Sequence, residues 1–150
     1  MAISQAMCTS FKAELLKGVH NFTAASDQFK LALYTANPYT QSTSTVYVAT
    51  SESSGTEYSA GGNTLSGNAV SNVTDYATVD FTDSVWGSPT PASFSAAYAA
   101  LYNSSESNKL VVVLDFSGTK SCSNGTFTVT FPSPTSGSPS GADALLSINS

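Results

Sequence analysis

A Ser or Cys nucleophile needs an imidazole to take up its proton, and this sequence holds a single histidine, His20. It stands in Gly18-Val19-His20-Asn21, just past a predicted helix end, where an imidazole meets terminal carbonyls. A structural role is expected for it. Paired carboxylates can hydrolyse glycosides, yet among the ten acids only Asp80 and Asp83 lie close together in sequence. A calcium site built on those two would need four or five further oxygens from elsewhere, so turn capping is the expected role. Asp115, between Leu114 and Phe116, is expected to point outward from a strand or to bond a neighbouring turn. Gly61-Gly62-Asn63 lacks the Lys and the following helix of a phosphate-cradling loop and reads as a turn or bulge.

Cys8 and Cys122 stand far apart, with no CxxC and no nearby histidine pair. One disulfide is possible; two free, largely buried thiols are the preferred expectation. A metal centre would lack ligands, so no cofactor and no metal are expected. Trp86, Tyr98 and Tyr102 are candidate ligand-stacking residues for a sugar, as on lectin-like β-modules. Core filling is the simpler expectation, with the Trp86 indole N–H finding a partner in the hydroxyl-rich loops.

The elements that would carry these residues are mostly strands. Residues 4–17 predict a helix: Ser4 is a candidate N-cap, Met7, Phe11 and Leu15 repeat every fourth position, and Cys8 and Leu16 widen the stripe. Lys17 and Gly18 supply the C-terminal cation and the left-handed terminator. The apolar face of this helix either packs on its own sheet, the simpler expectation, or seats on a neighbouring subunit. In the second case Met7, Phe11 and Leu15 form an assembly interface.

Beyond the helix the apolar period shortens to two. Phe29, Leu31 and Leu33 share one face of a strand. Residues 45–50 predict a second strand around Val46 and Val48, and 78–82 a third, with Val79 and Phe81 facing one way. Residues 94–102 read as a buried strand and 109–116 (KLVVVLDF) as the clearest one, joined by a hairpin loop at 103–108. Phe127, Val129 and Phe131 alternate with threonines, the pattern of a strand with one solvated face. Residues 132–141 read as a Ser/Pro/Gly linker and 145–148 as a closing strand. Seven or eight strands without crossover helices predict a mainly β fold, an antiparallel β-sandwich or jelly-roll-like fold with one N-terminal α-helix. One domain over 1–150 is expected, the helix within 1–20 and the sandwich within 28–150.

Composition narrows the function classes. Charged residues are 10% of the 150, Ser and Thr together are close to a third, and there is no Arg. Net charge is −5 and the five cations, Lys12, Lys17, Lys30, Lys109 and Lys120, form no cluster. A nucleic-acid partner needs a cationic patch to displace counterions, and an anionic membrane surface asks for the same; neither partner is expected. No run of 18 apolar residues is present for a membrane span, and the N-terminus does not read as a secretory signal. The sequons at Asn21, Asn72, Asn103 and Asn124 read as chance in so hydroxyl-rich a chain.

Several stretches resemble a family of small virion proteins of tailed bacteriophages: AISQAMCTSFK at 2–12 with Glu14, Leu15, Leu16, Gly18, Val19, His20 and Phe22, then FKLALYT at 29–35, YSAGGNTL at 58–65 and LYNSS at 101–105. VLDF at 113–116 and FTV at 127–129 match in kind. The resemblance covers nearly the whole chain through the order and spacing of these stretches; residues 94–100 depart from it in being richer in alanine. It implies a non-enzymatic virion component, and of the two placements that compete the preferred one is a capsid decoration (cement) protein stabilising the head through subunit contacts. The alternative is a tail or tail-fibre-associated protein, with host-glycan binding. Expected partners are other virion proteins, the major capsid protein or tail proteins, and further copies in a homo-oligomer.

Overall fold

The structure is a computed structural model that describes residues 6–23, 26–73, 76–131 and 145–149. The fold is mainly β with antiparallel sheets and a single short helix near the N-terminus, consistent with a β-sandwich. In chain order the elements are β1 (Ala6–Met7), α1 (Thr9–Leu16), β2 (Phe29–Tyr34), β3 (Asn63–Thr64), β4 (Ala69–Val73) and β5 (Tyr76–Asp80). They continue with β6 (Ser84–Trp86), β7 (Ala92–Asn103), β8 (Lys109–Gly125), β9 (Phe127–Val129) and β10 (Leu146–Asn149). A five-stranded sheet runs β1-β8-β7-β2-β3, and two smaller sheets pair β10-β5-β4 and β6-β9.

β2 and β7 form the centre of the large sheet, in register from Phe29↔Asn103 to Tyr34↔Tyr98. Phe29, Leu31 and Leu33 share a face as the alternation predicts, but the other face is closed too: Ala32 and Tyr34 are fully buried. Residues 35–62 cover it with side-chain contacts instead of strands. Tyr34 Oη meets Tyr39 Oη at 2.7 Å and donates to Val48 O at 2.9 Å. The strand expected over 45–50 is reduced to one bridge, Val46↔Lys109. Tyr47 stacks on Tyr102, while Val46 and Val48 face solvent, so no apolar face holds this segment in an extended ladder.

The helix is shorter than the apolar spacing predicts. Ala6 and Met7 pair instead with Val113 and Val112 of β8, and Cys8 takes the N-cap position with extended backbone and no side-chain cap. The expected cap Ser4 lies outside the described residues. A two-turn helix has little stability alone; hydrogen bonds on the β8 edge satisfy residues 6–7 better. Gly18 ends the helix as expected, at φ +66°, with Val19 N donating to Glu14 O at 3.0 Å. Phe11 is buried in the chain's own core, Met7 and Leu15 pack partly against it, and Leu16 is 91% exposed. Thus the helix lies on its own domain, Phe11 packs into that domain's core, and Leu16 does not widen the buried stripe.

β7 spans the expected buried strand. β8 continues past Phe116 to Gly125, its hydroxyl-rich second half held by pairing with the start of β7 across two register shifts, at Ala92/Phe94 and Ala96/Tyr98. β4 is unanticipated: its Ala-Val-Ser-Asn-Val run does not alternate apolar and polar residues, and Val70 is exposed. β9 has the predicted buried-exposed-buried pattern, and β10 falls on the predicted closing strand. The linker expected at 132–141 lies outside the described residues. The buried side chains join in one apolar cluster.

Candidate functional site

The polar side chains that converge most tightly lie at the end of the sandwich where α1, β7 and β8 meet. Glu14 sits on the last turn of α1, and Gly18 turns the chain back so that His20 returns beside it. His20 Nε2 is 2.9 Å from Glu14 Oε2, and Lys109 Nζ at the start of β8 is 2.6 Å from Glu14 Oε1. At the end of β7, Asn103 Nδ2 stands 3.1 Å from His20 Nδ1 and donates to Asp27 Oδ2 at 2.7 Å. Asn103 Oδ1 accepts from the N–H groups of Ser105 and Glu106 in the β7–β8 turn. Asn21 N–H also donates to Asp27 Oδ2. The His20 side chain has no exposed surface, and Asn103 is fully buried.

Burial raises the Glu14 pKa, but the Lys109 ammonium and then His20 outweigh it, and the carboxyl is held below its ordinary value. Such a carboxyl stabilises the fold above its unfolded value, near pH ~4.3, and that stabilisation is lost as pH falls through the lower folded value. Glu14→Gln should therefore flatten the acid limb of stability against pH and cost about 1–3 kcal/mol near neutrality. Urea unfolding across the acid range measures both; an unchanged acid limb would refute the assignment.

A carboxylate bonded to an imidazole is half of a nucleophilic triad. Here the second ring nitrogen faces an amide, where a triad would place a hydroxyl or thiol. The ring interacts with Glu14 and Asn103, not with the helix-terminal carbonyls expected for it. Among the described residues no group of three or more His, Cys, Asp or Glu could hold a metal ion. Cys8 is free and buried; burial first, then Glu14, pushes its thiol up to about 11, so it is protonated and inert near neutrality. Cys122 is free and half-buried, its Sγ 3.7 Å from Phe94 O.

A second polar cluster surrounds Glu52. Tyr47 Oη and Tyr58 Oη donate to its two oxygens at 2.6 and 2.8 Å, and Gly61 N–H adds a third bond at 2.7 Å. Burial raises the pKa of Tyr34, Tyr39, Tyr47 and Tyr58, and pushes Tyr102 up to about 12. These phenols stay protonated and serve as donors that tie residues 35–62 together and fasten them to β2 and β7.

The sugar-stacking residues are not brought together. Trp86 is 3% exposed among Tyr58, Phe94 and Phe127. Tyr102 is equally buried, stacked on Tyr47, with its hydroxyl on Gly61 O, and Tyr98 is half-buried. Trp86 Nε1 has no hydrogen-bond partner among the described residues; aromatic rings enclose it where a loop hydroxyl was expected. Asp83 accepts from the distant Phe131 N–H and caps no turn of its own, because β6 pairs with β9 and brings that residue near. Asp80 Oδ1 is buried without a partner among the described residues. Asp115 does bond a neighbouring turn, accepting from Ser117 N–H.

Two concavities stand out among the described residues. A crevice of about 240 Å³ opens between α1 and the β10-β5-β4 sheet, lined by Met7, Phe11, Leu15, Phe22, Val79 and Leu146, with His20 at its wall. A groove of about 420 Å³ runs along β9 beside Phe116 and Lys120. Neither presents converging acid and base groups. Comparison of the chain with protein-family models, with curated proteins and with solved structures returns no match.

Sequence reasoning missed Asn103 as the partner of His20, Asp27 as the partner of Asn103, and Lys109 as the partner of Glu14. The one local signal is Glu14 and His20 six positions apart across a helix terminator; the other pairs join residues 76 to 95 apart.

Proposed function

We propose that this chain is a non-catalytic structural module of a bacteriophage particle, a capsid decoration protein that bridges neighbouring subunits of the head. The observation that carries the non-catalytic part is the closure of the Glu14–His20 pair: both ring nitrogens face protein side chains, and the ring has no exposed surface. No acid or base is left there to meet a substrate. The particle placement is supported by the resemblance that runs along most of the chain. It is supported also by a surface rich in hydroxyls and poor in charge, on which many weak contacts can add over a symmetric lattice. Leu16 on α1, Val70 on β4 and Ile148 on β10 are large apolar side chains left exposed on the elements that border the crevice, and they supply the contact area.

Purified protein should bind particles that lack it and saturate at a fixed copy number. On the order of hundreds of copies places it on the head; about a dozen or fewer places it on the tail. Leu16→Asp should lower occupancy while leaving thermal unfolding unchanged. Failure to associate with any such particle would refute the proposal.

A further inference from the structure

We propose that His20 and Asn103 form a proton-operated latch, in which a neutral His20 keeps Asn103 clamped to both Asp27 and the β7–β8 turn, and proton uptake at His20 releases the clamp. The latch is a property of the fold and stands whether or not the chain is a particle component.

The hydrogen-bond pattern assigns both the amide orientation and the tautomer. Asn103 Oδ1 must face the turn, because two N–H groups, of Ser105 and Glu106, point at it from 3.1 and 3.3 Å. Asn103 Nδ2 must then be the atom 2.7 Å from the Asp27 carboxylate. One of its hydrogens goes to Asp27, and the other points at His20 Nδ1, 3.1 Å away. Nδ1 is therefore the acceptor, and the ring proton sits on Nε2, donated to Glu14 Oε2 at 2.9 Å. A second proton, taken from solvent onto the Nδ1 lone pair, would set N–H against N–H.

Relief requires the Asn103 amide to turn over. Its oxygen would then accept from Nδ1–H, but the same motion sets its NH₂ against the Ser105 and Glu106 N–H groups and its oxygen against Asp27. Both clamps open together. Asp27 keeps the Asn21 N–H, whereas the turn amides lose their side-chain acceptor.

The groups facing the ring oppose one another. Glu14 from α1 and Asp27 from the segment before β2 favour a charged imidazole. Lys109 from β8, bonded to the same carboxylate, disfavours it. Cys8, before α1, is a buried thiol and adds no charge. Phe11 and Phe22 flank the ring at centroid distances of 5.1 and 6.4 Å and keep water from solvating it. The proton is thus attracted from the Nε2 side and refused from the Nδ1 side, so ring charge and turn closure are coupled.

The test is nuclear magnetic resonance on the intact chain between about pH 8 and about pH 5, the interval in which histidine changes charge. Long-range proton–nitrogen spectra should show the Nε2–H tautomer at the upper end. As the imidazole titrates, hydrogen-exchange protection of the Ser105 and Glu106 amides, corrected for intrinsic rates, should fall about tenfold with the same midpoint. In His20→Phe, which keeps a ring between Phe11 and Phe22, that pH-linked loss should vanish. A proton on Nδ1 at the upper end would overturn the latch. So would an imidazole that titrates while both amides stay unchanged, or one that stays neutral across the range; these readings come from the unmodified chain and do not depend on the variant folding.

Discussion

Gly62→Ala should destabilise the chain by roughly 4 kcal/mol, enough to leave a large unfolded fraction at ambient temperature. Gly62 lies at φ +70° where the chain enters β3. A Cβ there would fall inside the van der Waals shell of the Leu31 carbonyl oxygen and 2.7 Å from Ala32 Cα. Both atoms belong to the backbone of β2, the strand at the heart of the large sheet, so neither can yield without disturbing the β2–β7 register. Gly18 isolates the steric part of the effect. It has nearly the same φ, +66°, but nothing lies within 4 Å of its virtual Cβ, so Gly18→Ala should cost only about 1 kcal/mol. Urea unfolding of the two variants measures the difference; equal losses would mean that the close approach to β2 carries no weight.

Asn103→Ala should cost about 3 kcal/mol, although it removes only a small polar side chain. The fully buried amide serves four partners: His20, Asp27 and the N–H groups of Ser105 and Glu106. Truncation leaves a buried imidazole nitrogen and two turn amides without partners, and withdraws one donor from a carboxylate. The imidazole nitrogen carries the largest desolvation penalty, because Phe11 and Phe22 flank the ring and keep water from it. The midpoint of urea unfolding should fall with little change in slope. A loss below about 1 kcal/mol would show that the network is hydrated and contributes little.

These two positions also mark where the sequence is readable. Gly61-Gly62-Asn63 reads as a turn or bulge, because paired glycines permit left-handed backbone that other residues resist. That the turn presses on Leu31 depends on β3 folding against β2, more than 30 residues earlier in the chain, and no local pattern encodes that approach. Asn103 likewise reads as the start of a hairpin loop and is instead the last residue of β7, paired with Phe29 and Lys109, while its hold on His20 comes from a helix end some 80 residues away. The tyrosines around Glu52 show the same division: their type predicts burial with a bonded hydroxyl, but only the packing of residues 35–62 on β2 selects the acceptor.

The sequence by itself determined the fold class, the strands β2, β7 and β9, the start of β8, and the Gly18 helix stop. All of these follow from periodicity and backbone permissiveness, which act over a few residues. Tertiary structure alone decided that residues 6–7 join a sheet edge rather than the helix, that β2 is buried on both faces, and that aromatic rings rather than a loop hydroxyl surround the Trp86 indole. It also decided that Glu14, His20, Asn103, Asp27 and Lys109 meet. The reason is that burial and polar pairing depend on which distant segments arrive at a surface, and a residue's neighbours along the chain carry no record of that.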